Sequence, residues 1–162
     1  MGYEIERKFI VEGEFKQYSN RSCVIKQGYI CISGSSLVRV RLKGDKAYIT
    51  VKTSSPEGSI KRSEWEYEIP VKDAEEMLML CEDNMIDKIR YLVEVGSHTF
   101  EVDEFYGENS DLLLAEVELN DEDEEFERPD WLGREVTGNI RYYNSFLSIH
   151  PFNTWSKEEK EE

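Results

Sequence analysis

Tyr3-Glu4-Ile5-Glu6-Arg7-Lys8-Phe9 is the stretch on which the fold turns. Side chains of an extended strand alternate faces, so Glu4, Glu6 and Lys8 share one side while Tyr3, Ile5, Arg7 and Phe9 share the other. A half-buried strand normally sets apolar residues against a mixed polar surface. Here the polar side is wholly ionisable, and both signs are present.

The pattern recurs along the chain. Arg39 and Arg41 oppose Val38, Val40 and Leu42; Thr50 and Lys52 oppose Ile49 and Val51. Arg62, Glu64, Glu66 and Glu68 oppose Trp65, Tyr67 and Ile69, and Lys88 and Arg90 oppose Ile89 and Tyr91. Glu101 and Asp103 oppose Phe100 and Val102, and Glu116 and Glu118 oppose Ala115, Val117 and Leu119. Period-2 runs predict strands over 3–9, 21–32, 37–43, 47–52, 61–70, 85–95, 98–105 and 112–119, with Gly44-Asp45 as a hairpin turn and 53–59 as a loop. Ala74, Met77, Leu78 and Cys81 are spaced for a helix over 72–81, and 128–133 and 139–150 read as helical or irregular. Eight strands and few helices suggest a sheet closed on itself, or a sandwich.

Two readings of the charged face compete. On an ordinary barrel it would be a solvated exterior around an apolar interior. Like charges two residues apart (Glu4/Glu6, Arg39/Arg41, Glu64/Glu66, Glu116/Glu118) are repulsive unless opposite charge lies between them. Trp65, Tyr67, Tyr91 and Phe100 on the other face offer broad surfaces for covering helices. Both features favour an inside-out barrel with a charged interior. Grouped carboxylates hold hard cations such as Mg²⁺ or Mn²⁺, and clustered Arg and Lys hold phosphate oxygens. A polyphosphate–metal complex needs both sets together.

Composition narrows the setting. The 162 residues suit one domain over 1–155 with a charged tail at 156–162. Net charge is −15; the acidic loop 120–128 and the tail contribute −7 of it, and the remaining −8 still argues against nucleic acid as a partner. No apolar run approaches a membrane span, the N-terminal residues are too charged for a signal peptide, and Glu6 stands where a myristoylation signal needs Ser or Thr. Cys23, Cys31 and Cys81 are odd in number and show no metal spacing, so a reducing, cytoplasmic location is expected. His98 and His150 lack partners at ligand spacing and read as surface or packing residues, as do Trp131 and Trp155.

Glu4-Ile5-Glu6-Arg7-Lys8 resembles the ExExK signature of the CYTH superfamily, the triphosphate tunnel metalloenzymes. The likeness continues through Gln27-Gly28-Tyr29, Arg39-Val40-Arg41, Thr50-Val51-Lys52, Arg62 to Glu66, Lys88-Ile89-Arg90, Glu101-Val102-Asp103, Glu116-Val117-Glu118 and the segment from Trp131 to Leu147. It is greatest to short bacterial members that hydrolyse tripolyphosphate and nucleoside triphosphates. The resemblance implies a mainly β fold, an eight-stranded antiparallel closed barrel with helices outside. It implies one or two divalent cations, Mg²⁺ or Mn²⁺, on Glu4, Glu6, Glu116 and Glu118, helped by Glu64, Glu66 or Asp103. Lys8, Arg39, Arg41, Lys52, Lys88 and Arg90 would line the triphosphate path. Lys8, Glu66 and Tyr29 are the expected catalytic residues, water the expected nucleophile, and a small-molecule triphosphate the expected partner. Tyr29 would serve in proton transfer or gating, with a packing tyrosine as the other reading; Arg62 and Glu68 would sit at the tunnel mouths. Adenylate cyclase chemistry of the class IV type, and a polyphosphate-binding module without turnover, are the alternative functions.

Overall fold

The computed structural model describes residues 2–53, 61–81 and 83–161; most of the expected loop at 53–59 lies outside them. Nine strands form one sheet: β1 (Gly2–Val11), β2 (Ser19–Ile32), β3 (Ser36–Lys43), β4 (Lys46–Thr53), β5 (Lys61–Ile69), β6 (Met85–Val95), β7 (His98–Phe105), β8 (Leu113–Glu118) and β9 (Leu132–Glu135). The order β5-β4-β3-β2-β6-β7-β8-β1 closes through antiparallel pairing of Gly2–Ile5 in β1 with Lys61–Glu64 in β5. The result is an eight-stranded antiparallel barrel. β9 is an addition, pairing with the far end of β1; its first two residues end the stretch 128–133 expected to be helical or irregular, and its four residues are too few for alternation to show.

Helices are few: α1 (Val71–Leu78), α2 (Asn144–Leu147) and α3 (Lys157–Glu161). None among the described residues is long and apolar enough to cross a membrane. α1 buries Ala74 and Leu78 against Val40 and Ala47 on the outer face of β3 and β4. The turn that follows it reaches β2 at Gly28, where a Cβ would lie 2.6 Å from the Cβ of Cys81.

The apolar cores lie around the barrel and across one end. Phe9, Phe100, Val102 and Val117 face outward and are covered by Phe15 and Trp131. The expectation that helices cover the outer aromatics fails here, because irregular segments do so, and Tyr67 is 64% exposed. The second core closes one end. Along five strands the inward row turns apolar there, at Tyr29, Leu37, Ile86, Phe105 and Leu114, and meets Val136, Tyr142, Leu147 and Trp155 from the C-terminal segment. Part of the tail beyond that segment is also ordered. Ser156 N–H donates to Glu159 Oε1 and Glu159 N–H to Ser156 Oγ, a reciprocal cap that starts α3.

Candidate active site

Alternation places the ionisable rows inside the barrel. Six cations predicted for the triphosphate path, Lys8, Arg39, Arg41, Lys52, Lys88 and Arg90, are each 2–8% exposed. Lysine and arginine are almost never this buried unless paired or holding a ligand. The solvated-exterior reading is thereby overturned. A cavity of about 220 Å³ runs between the rows, and seven acids and eight bases stand among its twenty lining residues.

Strand order sorts the signs. β8, β1 and β5 are neighbours and carry Glu116, Glu118, Glu4, Glu6, Glu64 and Glu66, with Glu6 paired across strands to Glu118 and Lys8 to Glu116. Most of the bases come from β3, β4 and β6; β4 adjoins β5, with Lys52 paired to Glu64, while β3 and β6 lie farther round the barrel. An acidic wall therefore faces a basic one, bridged where Lys52 Nζ meets Glu4 at 2.9 Å and Glu64 at 3.2 Å, and where Lys8 Nζ meets Glu116 at 3.3 Å.

The acidic wall holds more carboxylates than its lysines neutralise. Burial, then Glu116 and Glu4, drive the Glu6 carboxyl well above the usual carboxylate range. Burial and a hydrogen bond with Glu4 raise Glu64, and burial with Glu4 and Glu101 raises Glu118. Burial also pushes Glu4 and Glu116 upward. Lys52 outweighs it for Glu4, which falls to about 2, and Lys8, Arg90 and Lys88 outweigh it for Glu116, which is held well below its ordinary value. Protons thus share a wall whose oxygen donors suit a hard divalent cation. Among the described residues no three of these groups stand as a ready cage; Glu4 and Glu116 are turned to lysines. The donor chemistry fits a cation once those carboxylates turn.

The basic wall is held from behind. Arg90 Nε donates to Asp103 Oδ1 at 2.8 Å, and Arg90 Nη2 and Lys88 Nζ donate to Asp103 Oδ2 at 2.9 and 2.7 Å. Burial opposes ionisation of Asp103, but Arg90 and Lys88 prevail and lower it to about 2. Burial lowers Lys88 to about 7, with Asp103 opposing and Arg90 and Arg41 reinforcing. Burial, then Arg39 and Arg90, lower Arg41 to about 9.

Thirteen of the fourteen expected site residues line the cavity. Asp103 lies outside the lining, its oxygens spent on Lys88 and Arg90. Glu66 is more open, with Arg39 Nη2 at 3.6 Å and Thr50 Oγ1 donating to it at 3.1 Å. Tyr29 is 3% exposed, and its hydroxyl accepts from Gln27 Nε2 at 3.1 Å. Arg62 lines the cavity beside the Tyr143 ring, whereas Glu68 is exposed and outside the lining. His98 bonds Glu124 and His150 bonds Glu159.

Several lining residues carry no sequence assignment. Lys43 continues the Arg39/Arg41 row by two residues and was legible by that count. Tyr143, Asn144 and Ser145 come from the C-terminal segment, where no periodicity marks them. Gln27, fully buried, accepts from Arg41 Nε at 2.8 Å.

The sequence profile of the CYTH domain matches residues 2–145. An inorganic triphosphatase of Acetivibrio thermocellus is 48% identical over 158 residues, 97% of this chain and 100% of that protein. An inorganic triphosphatase of Nitrosomonas europaea is 35% identical over 150 residues, 90% of this chain and 97% of that protein. The crystal structure of the inorganic triphosphatase NE1496 superposes with a TM-score of 0.68 at 33% identity, covering 92% of this chain and 96% of that one.

Proposed function

The chain belongs to the CYTH domain family, and from that premise we propose that it is a metal-dependent inorganic triphosphatase, converting tripolyphosphate and water to pyrophosphate and orthophosphate. The observation that carries this reading is the burial of six cations inside one barrel together with a row of carboxylates on neighbouring strands. Buried charge of both signs is costly in the free protein and is neutralised by a polyanion arriving with its cation.

Glu4, Glu6, Glu116 and Glu118, with Glu64 beside them, would hold one or two divalent cations, Mg²⁺ or Mn²⁺. Such a cation supplies polarisation of phosphoryl oxygens and charge neutralisation. Lys8, Lys52, Arg39, Arg41, Lys88 and Arg90 grip the phosphate oxygens and disperse the charge that develops as the anhydride bond breaks. We assign Asp103 to holding Lys88 and Arg90 rather than to the cation. Glu66, at the more exposed end of the row, orients the attacking water. Gln27 donates to the Tyr29 hydroxyl, so the phenolic proton is free to point into the tunnel toward a departing oxygen. The three unpaired cysteines support a reducing, cytoplasmic compartment.

The apolar closure at Tyr29, Leu37 and Phe105 leaves no passage for a nucleoside through that end. A nucleoside triphosphate could enter only phosphate-first, its base left outside, and this favours the inorganic chain as substrate. The test is orthophosphate release from tripolyphosphate with Mg²⁺ or Mn²⁺. Wild-type release no faster than that of a folded Glu6→Ala variant would reject the proposal; cyclic nucleotide with pyrophosphate from ATP would favour the lyase.

A further inference from the structure

The closed end of the tunnel contributes polar groups as well as apolar ones. Asn144, the first residue of α2, lines the cavity. Its Oδ1 accepts from Lys88 Nζ at 2.8 Å and from Gln27 Nε2 at 3.3 Å. Chemistry fixes that orientation, because Gln27 Nε2 only donates and the amide atom facing it must be the oxygen. Gln27 is fixed in the same way. Its Oε1 faces Arg41 Nε at 2.8 Å, so its Nε2 is the atom shared between Tyr29 Oη and Asn144 Oδ1.

The hydrogen bonds therefore run in one direction. Each amide oxygen is taken by a protein donor, Gln27 Oε1 by Arg41 and Asn144 Oδ1 by Lys88 and Gln27. Asn144 Nδ2 has no acceptor among the described residues, and Arg39 Nε is a second donor, buried and without a partner. The floor of the cavity thus presents unpaired donors, while its amide acceptors are spent.

We propose that Asn144 is a substrate-contacting residue whose Nδ2 donates to an oxygen of the innermost phosphoryl group of tripolyphosphate. The proposal rests on the triphosphatase reading and deepens it. The C-terminal segment, outside the eight barrel strands, supplies a neutral amide donor beside Lys88, on a wall whose other nitrogen donors are charged or, like Gln27 Nε2, already committed. A phosphoryl group, whose peripheral oxygens all accept, satisfies such a floor, whereas a ligand needing an acceptor there is left unpaired.

Two variants isolate the donor. Asn144→Asp keeps an oxygen for Lys88 and Gln27 but removes the N–H and adds negative charge. Asn144→Leu removes donor and acceptor with no charge. Loss of the donor is the one change they share, so Lys88 misplacement cannot explain the first, nor repulsion the second. With tripolyphosphate and Mg²⁺, both are expected to raise KM at least tenfold while kcat changes less than fivefold and the melting temperature stays within a few degrees of wild type. A folded variant of either kind with KM within threefold of wild type overturns the assignment; if only one folds, that one decides. Wild-type protein that releases no orthophosphate removes the triphosphatase reading and this inference with it. A hydrolysing wild type with an unmoved KM in the variants removes the inference alone.

Discussion

Replacing Arg41 with methionine should leave the ligand-free protein about as stable as the parent, or more so, while destroying its hold on triphosphate. Arg41 is 8% exposed, and burial beside Arg39 and Arg90 lowers its guanidinium from its ordinary value to about 9. Three to four pKa units correspond to roughly 4–5 kcal/mol of penalty on the charged form. An effective permittivity near 20 inside real proteins brings this down to about 2–3 kcal/mol. Against that gain, the buried Gln27 Oε1 loses its donor, at a cost of about 1–3 kcal/mol. Methionine fills most of the vacated aliphatic volume, so the net change lies between about −1 and +2 kcal/mol by the same two terms. The sign follows from linkage. The unfolded chain holds this proton more tightly than the folded one, so the penalty is constant below pH 9 and fades as pH rises above it. Urea unfolding at pH 7 and constant ionic strength measures the difference. Adding tripolyphosphate at about 100 times its Kd should stabilise the parent by about 2.7 kcal/mol and the variant by far less. A variant destabilised by more than about 1 kcal/mol without ligand, or one that keeps the full ligand-induced gain, would refute the idea that the basic wall is held at a cost for its ligand.

Asp103 should behave oppositely: Asp103→Ala leaves Lys88 and Arg90 without their shared carboxylate and should cost about 3–5 kcal/mol in urea unfolding, ligand or no ligand. Ser156→Ala removes half of the reciprocal cap of α3 and should cost about 0.5–1 kcal/mol, leaving kcat and KM for tripolyphosphate within twofold. Divalent cation held by Glu4 and Glu64 should tie β1 to β5, so amide exchange at the β1–β5 seam, from Gly2–Ile5 to Lys61–Glu64, should slow when Mn²⁺ is added and recover with chelator. Exchange that is fastest in the presence of metal would count against cation binding by Glu4 and Glu64.

Much of this architecture is legible from the chain because its period-2 rows are so regular. The eight strands follow from alternation, and the inward direction of the charged face follows from like charges two residues apart. What alternation does not show is which row lies beside which. Asp103 shares a face with Glu101 and could not be told apart from a metal ligand; only the pairing of Arg90 with Asp103 reveals that both of its oxygens are taken. β9 pairs through four residues, fewer than a periodic pattern needs. Asn144 sits in a segment whose seating depends on Leu147, Tyr142 and Trp155 finding the open end of the barrel, a long-range event without local signature. The tail is a different case. Ser156 and Glu159 stand at capping-box spacing, so α3 was readable and the charge run around it masked the signal.

The division of the tunnel into an acidic and a basic wall follows from how the sheet closes. β1 carries Glu4 and Glu6, and it pairs with β8 on one side and with the start of β5 on the other. Without that second pairing β1 and β5 would be opposite edges of an open sheet, and the carboxylates of Glu4 and Glu64, which now share Lys52, would be separated. The seam that completes the barrel is thus also the step that gathers the carboxylates. The bases need no such closure, since β4, β3, β2 and β6 are consecutive neighbours in the sheet. Closure of the fold and assembly of the carboxylate wall are consequently one event, and a cation held by Glu4 and Glu64 would stabilise the pairing that gathers them.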